Sequence, residues 1–140
     1  MILLDTNVVA ELMRAEPDTS VLRWLDLCSA DDVWIPAVSV MELRYGLALL
    51  PLGRRCDGLA ATLDAVLVEE LGGRIAAFDR PAAEASAALM ASRRQQGRPV
   101  DLADTMIAGT ALAHRATLAT RNVRHFADLA VPVVNPFAAR

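Results

Sequence analysis

The chain has 140 residues and no lysine: all of its fourteen basic residues are arginine. That absence excludes a receiver-type phosphoacceptor domain, which also sets acids at the rim of a parallel sheet but needs a lysine there for the phosphoryl group. Cysteine is almost missing as well. Cys28 and Cys56 stand alone, with no CxxC pair and no nearby histidine, so neither a zinc site nor a disulfide framework is supported, and both read as buried thiols. No stretch approaches the roughly 20 uninterrupted apolar residues of a membrane span, although 54% of the residues are hydrophobic and the mean hydropathy is +0.33. The amino terminus has no basic region and no small-residue cleavage site, and an acid interrupts its apolar start at Asp5, so the reading is a cytoplasmic protein. The apolar surplus then points to a partner or a second copy of the chain. A net charge of −3 argues against a broad basic face for nonspecific nucleic-acid binding.

What is present is an alternation of short apolar runs and helical patterns. Strands are expected at 1–5, 33–38, 74–78, 116–120 and 131–134, and Pro36 suggests the start of its strand or a sheet edge. Helices are expected at 7–14, 18–30, Ser39–Leu50, Arg54–Leu71, from Pro81 to about Gln96, and at 102–115, with 122–128 a turn or short helix. Strands separated by helices imply an α/β fold, a parallel sheet with helices on both faces, in a single domain over residues 1–140.

In such folds ligands bind outside the carboxyl ends of the strands. Asp5 follows the first strand, Glu42 sits in the first turn of the helix after the second, and Asp104 in the first turn of the helix before the fourth. Each acid has a plain structural alternative. Ser39 and Glu42 fit a capping box, Asp101 and Asp104 fit an N-cap and a favourable first-turn charge, and Asp5 could cap the helix it precedes. Convergence would favour chemistry. Carboxylates ~4 Å apart repel by about 4 kcal/mol at an effective dielectric near 20, so a cluster needs a cation or shifted pKa values. All-oxygen ligation suits Mg²⁺, with Mn²⁺ possible, and leads to metal-assisted phosphodiester hydrolysis.

The segments Ile2-Leu3-Leu4-Asp5-Thr6-Asn7-Val8-Val9, Val38-Ser39-Val40-Met41-Glu42-Leu43, Asp104-Thr105-Met106-Ile107-Ala108 and Leu118-Ala119-Thr120-Arg121-Asn122-Val123-Arg124-His125-Phe126 resemble PIN-domain nucleases. More narrowly they resemble VapC-type toxins of bacterial toxin–antitoxin pairs, near the FitB-like branch. The resemblance implies a three-layer PIN-like sandwich and a Mg²⁺-dependent endoribonuclease that is dimeric and is held inactive by a cognate antitoxin. It assigns Asp5, Glu42 and Asp104 as metal-binding acids and Thr6 as a hydroxyl that steadies the site. Where many PIN domains carry a fourth acid, either directly after the Thr-Arg pair or three residues later, this chain has Asn122 and His125. A neutral amide could still ligate a metal or orient a water, but the departure argues against a second tightly held metal.

Other residues invite chemistry less strongly. Arg121 and Arg124 could contact phosphate or simply be solvated. His125 reads as a surface or hydrogen-bonding residue, His114 and the Arg93-Arg94-Arg98 cluster as complements to helix dipoles, and Asp128 as solvated. Trp24 and Trp34 read as packing residues. A haloacid-dehalogenase-like hydrolase would need Asp-x-Asp where Asp5-Thr6-Asn7 stands. The stronger rival is a noncatalytic PIN module that binds a partner protein or RNA.

Overall fold

The computed structural model describes residues 1–138. Its centre is β1 (Ile2–Leu4), flanked by β2 (Val33–Pro36) and β4 (Thr117–Ala119), with β3 (Ile75–Ala76) and β5 (Val133–Val134) outermost. The order is β3-β2-β1-β4-β5 and every pairing is parallel. Successive residues of a strand point to opposite faces, and β1 uses both. Leu3 packs with Ile107, Leu118 and Phe126, whereas Leu4 packs with Val8, Val33 and Leu63 on the other side. Two apolar cores therefore sandwich one sheet.

The Leu4 side is covered by α1 (Thr6–Leu12), α2 (Thr19–Leu27) and α4 (Arg54–Ala65), and the Leu3 side by α5 (Arg80–Gln95) and α6 (Leu102–His114). Helix α3 (Ala37–Ala48) touches both cores, through Val38 on one side and Val40, Leu43 and Leu47 on the other. Trp24 and Trp34 pack partly buried against the cores, as expected of packing residues. Among the described residues no helix is long and apolar enough to cross a membrane.

Several local expectations need correction. Helix α3 begins at Ala37 rather than Ser39, with Pro36 as its N-cap and the last residue of β2, an interior strand rather than an edge. At the strand's end its missing N–H costs the ladder nothing further. Ser39 lies inside the helix, fully buried, with a hydroxyl that has no partner among the described residues, so no capping box with Glu42 forms. The helix expected at 54–71 changes at Val66 into a π-helical turn through Glu70. Cys28 and Cys56 are free but only partly buried, their thiols donating to the carbonyls of Trp24 and Leu47.

Helices α5 and α6 come close together at Gly109. A Cβ there would stand 2.8 Å from the Ala82 carbonyl oxygen and would collide with the Ser86 hydroxyl. This close approach fixes where the amino-terminal end of α6, and with it Asp104, sits above the sheet.

Candidate active site

Asp5 leaves the end of β1 with its N–H bonded to Ala119 O at 2.9 Å, so its backbone is still held by β4. Its side chain is buried, and both carboxylate oxygens are occupied. Oδ1 accepts from Thr6 N at 2.7 Å, and Oδ2 accepts from Thr120 Oγ1 at 2.7 Å and Asn7 Nδ2 at 3.2 Å. The capping alternative is thus realised, since Asp5 is the N-cap of α1, but it accounts for only one of its oxygens. Burial raises the Asp5 pKa. The Thr120 and Thr6 hydrogen bonds oppose that rise, and the charges of Asp104 and Glu42 add to it. Glu42 and Asp104 are therefore both near enough for their charges to act on Asp5.

Glu42, half-buried in the second turn of α3, accepts from Thr6 Oγ1 at 2.6 Å through Oε1. Thr6 thus joins the first two acids, by its N–H to Asp5 and by its hydroxyl to Glu42. Asp104 opens α6, where Asp101 caps the helix by accepting its N–H at 2.9 Å. Burial raises the Asp104 pKa and Asp101 raises it further, while His125 and Arg93 pull it down. His125 Nδ1 lies 3.3 Å from Asp104 Oδ2, so this histidine belongs to the rim.

Among the described residues no three His, Cys, Asp or Glu side chains close into a ready-made metal cage. The donor chemistry still fits a hard divalent cation. All three acids offer oxygen, the charges of Glu42 and Asp104 lift the Asp5 pKa, and Mg²⁺ commonly keeps several waters while binding through one or two carboxylates.

Beside the acids lies a network that the sequence did not announce. Arg93 is buried, its Nε and Nη2 each 2.9 Å from the Asp128 carboxylate, with Nη2 also 2.9 Å from His125 O and Nη1 3.4 Å from Thr105 Oγ1. Arg98 Nη1 reaches the same carboxylate at 2.7 Å. Asp128 is therefore not merely solvated, and the Arg93 hydrogen bond holds its carboxyl below the usual range. Arg93 is more than a complement to a helix dipole.

The arginines after β4 divide. The Arg121 guanidinium stacks 3.9 Å from the centre of the Phe137 ring, and its backbone N–H donates to Asn7 Oδ1 at 3.1 Å. Arg124 lines a cleft with Asp104 and His125. Among the described residues Asn122 makes no hydrogen bond to an acid; its backbone N–H donates to Thr120 Oγ1 at 3.0 Å.

Three site residues escaped the sequence reading: Thr120, Asn7 and Arg93. The first two were quoted only as parts of motifs. A polar residue directly after an apolar strand was the available signal for Thr120, as it had been for Asp5.

A PIN-domain family model matches residues 2–132, which include every residue of this site. The chain belongs to the PIN-domain family. Among relatives of this PIN domain, a VapC ribonuclease, Y4jK, from Sinorhizobium fredii is 39% identical over 137 residues, 98% of each chain. The toxin FitB from Neisseria gonorrhoeae is also 39% identical over 137 residues, 98% of this chain and 99% of its own. The crystal structure of FitAcB from Neisseria gonorrhoeae superposes with a TM-score of 0.87 at 39% identity, covering 99% of both chains. The resemblance read from the four segments and the α/β PIN-like fold are both borne out.

Proposed function

We propose that this PIN domain is the toxin of a toxin–antitoxin pair and acts as a Mg²⁺-dependent endoribonuclease, with Mn²⁺ able to substitute. The observation that carries this reading is the buried Asp5 carboxylate, held by three hydrogen bonds while the charges of Glu42 and Asp104 raise its pKa. The names of its relatives, a VapC ribonuclease and a FitB toxin, support the same class of activity.

A divalent cation held by Asp5, Asp104 and Glu42 would polarise a phosphate oxygen and lower the pKa of an attacking water. The protein's own part is positional. Thr120, Asn7 and Thr6 N fix both oxygens of Asp5 before substrate arrives, and the Thr6 hydroxyl fixes Glu42. Such preorganisation avoids reorganising dipoles during reaction. Asn122, Arg121 and Arg124 lie along the exposed segment after β4, where Asn122 would support the site and the arginines would contact substrate.

The expected partners are RNA and a cognate antitoxin, and an arginine from the latter would suit an acidic site. Self-association is part of the reading: Met41 and Tyr45 on α3 and Leu49 at its C-cap recur every four residues and are 55%, 65% and 67% exposed. Light scattering should find a dimer, and a monomer at tens of micromolar would contradict that half.

Incubating the purified chain with RNA in Mg²⁺ or in EDTA, beside Asp5→Asn, tests the activity. Cleavage in Mg²⁺ alone, lost in the variant, is the expected result. RNA binding without cleavage in any condition would instead favour the noncatalytic reading, which the neutral Asn122 at a fourth-acid position keeps in view.

A further inference from the structure

The cleft of about 270 Å³ beside Asp104 is lined by charges of both signs, Asp101 and Asp104 from the start of α6 and Arg93, Arg98 and Arg124. Its three arginines outnumber the one carboxylate, Asp128, that Arg93 and Arg98 pair with. One carboxylate, Asp128, accepts from both Arg93 and Arg98, so a positive charge is left over, and exposed Arg124 makes no ion pair among the described residues. The arginines are also braced. Arg93 is 4% exposed and grips Asp128 through two nitrogens, and through the His125 carbonyl it fixes the turn that carries His125 and Arg124.

Phosphates recur along a nucleic-acid strand at every nucleotide. A strand whose scissile phosphate lies at the acidic rim must place a neighbouring phosphate one nucleotide away, and guanidinium forks suit that group. The cleft is near the lower limit of small-ligand pockets, roughly 300 Å³, and so admits one nucleotide of a single strand rather than a duplex.

We propose that this cleft seats the backbone phosphate adjoining the scissile one on a single-stranded RNA, with Arg98 and Arg124 as its contacts and Arg93 as the residue that positions them. The assignment rests on the ribonuclease reading, but binding can be measured apart from cleavage.

The test is the anisotropy of a short fluorescent single-stranded RNA against the whole chain in EDTA, across a salt series. Wild type, Arg98→Gln, Arg124→Gln and Arg23→Gln are compared, Arg23 lying on α2 in the opposite layer. Each phosphate contact on a single strand contributes about 0.7 to the slope of log K against log salt. Arg124→Gln and Arg98→Gln should together lower that slope by about 0.7, the share of one shared phosphate, while Arg23→Gln leaves it unchanged. Arg98→Lys keeps the charge and should retain most of the slope, which separates lost charge from lost packing; Arg124→Gln, at an exposed position, decides alone if Arg98→Gln does not fold. Wild-type slopes in both Gln variants would overturn the proposal. So would a defect confined to association with an antitoxin, because it would assign the cleft to a protein partner. If wild type cleaves in Mg²⁺ but the slopes do not change, only the cleft assignment fails; if the slopes change but nothing is cleaved, only the nuclease reading fails.

Discussion

Thr120 Oγ1 lies 2.7 Å from Asp5 Oδ2, joining residues 115 positions apart in the chain and both buried at the carboxyl ends of adjacent strands. The same hydroxyl accepts from Asn122 N at 3.0 Å and from Asn7 Nδ2 at 3.4 Å. One oxygen thus ties β4, the loop after it and the start of α1 to the acid at the centre of the rim.

Thr120→Val keeps the shape and removes that oxygen. Loss of a hydrogen bond to a charged group costs about 1.5–3 kcal/mol, and the Asp5 pKa should rise further because this bond opposes its elevation. The acid limb of the pH–activity profile should move to higher pH in Thr120→Val and return in Thr120→Ser. An unmoved limb would mean that the hydroxyl serves packing alone.

Stability should depend on pH with opposite signs at two acids. Asp5 is raised, so the folded state holds a proton that the unfolded chain has released. Stability falls as pH climbs from the ordinary carboxylate value through the raised one, and the loss is complete above it. Asp128 is lowered, so its contribution is present above the ordinary value and disappears as pH falls through its folded value. In EDTA at neutral pH, Asp5→Asn should be more stable than wild type and Asp128→Asn less stable, with both differences closing as pH falls through these windows. Urea midpoints across pH check this, and a constant Asp5→Asn difference would contradict it.

Metal should report on the acids through stability as well as turnover. Mg²⁺ at a hundredfold excess over its Kd would stabilise wild type by about 2.7 kcal/mol, and Glu42→Gln much less. Thermal melts of both proteins, each with EDTA and with Mg²⁺, give the comparison. An equal response in the two would remove Glu42 from the ligand set, and no response in wild type would remove the metal site.

Gly109→Ala should destabilise by about 1–3 kcal/mol, because the added methyl meets the Ala82 carbonyl and the Ser86 hydroxyl. Ser86→Gly in the same chain removes the Ser86 Oγ and Cβ contacts but leaves the Ala82 carbonyl, and should recover part of the loss. Denaturant midpoints of the single and double variants measure the coupling.

The sequence by itself determined the alternation of strands and helices, the parallel sheet, and the acids at its rim. These are local or periodic properties: Asp5 follows an apolar run and Asp104 opens a helix capped by Asp101, and each can be read within a few residues. Helix starts set by packing were harder to read. Ser39 looks like a cap, yet α3 begins two residues earlier because Pro36 ends β2 and Val38 must reach the Leu3 core.

Only the tertiary structure decided which partners each acid has. Thr6 bonds Glu42 across 36 residues, Thr120 bonds Asp5 across 115, and Arg93 bonds Asp128 across 35. Arginine near a helix end and threonine after a strand are common on solvated surfaces, so residue type and spacing carry no sign of such pairings. Their energies arise from exclusion of water between elements that meet only when the sheet assembles, and no short stretch of the chain encodes that meeting.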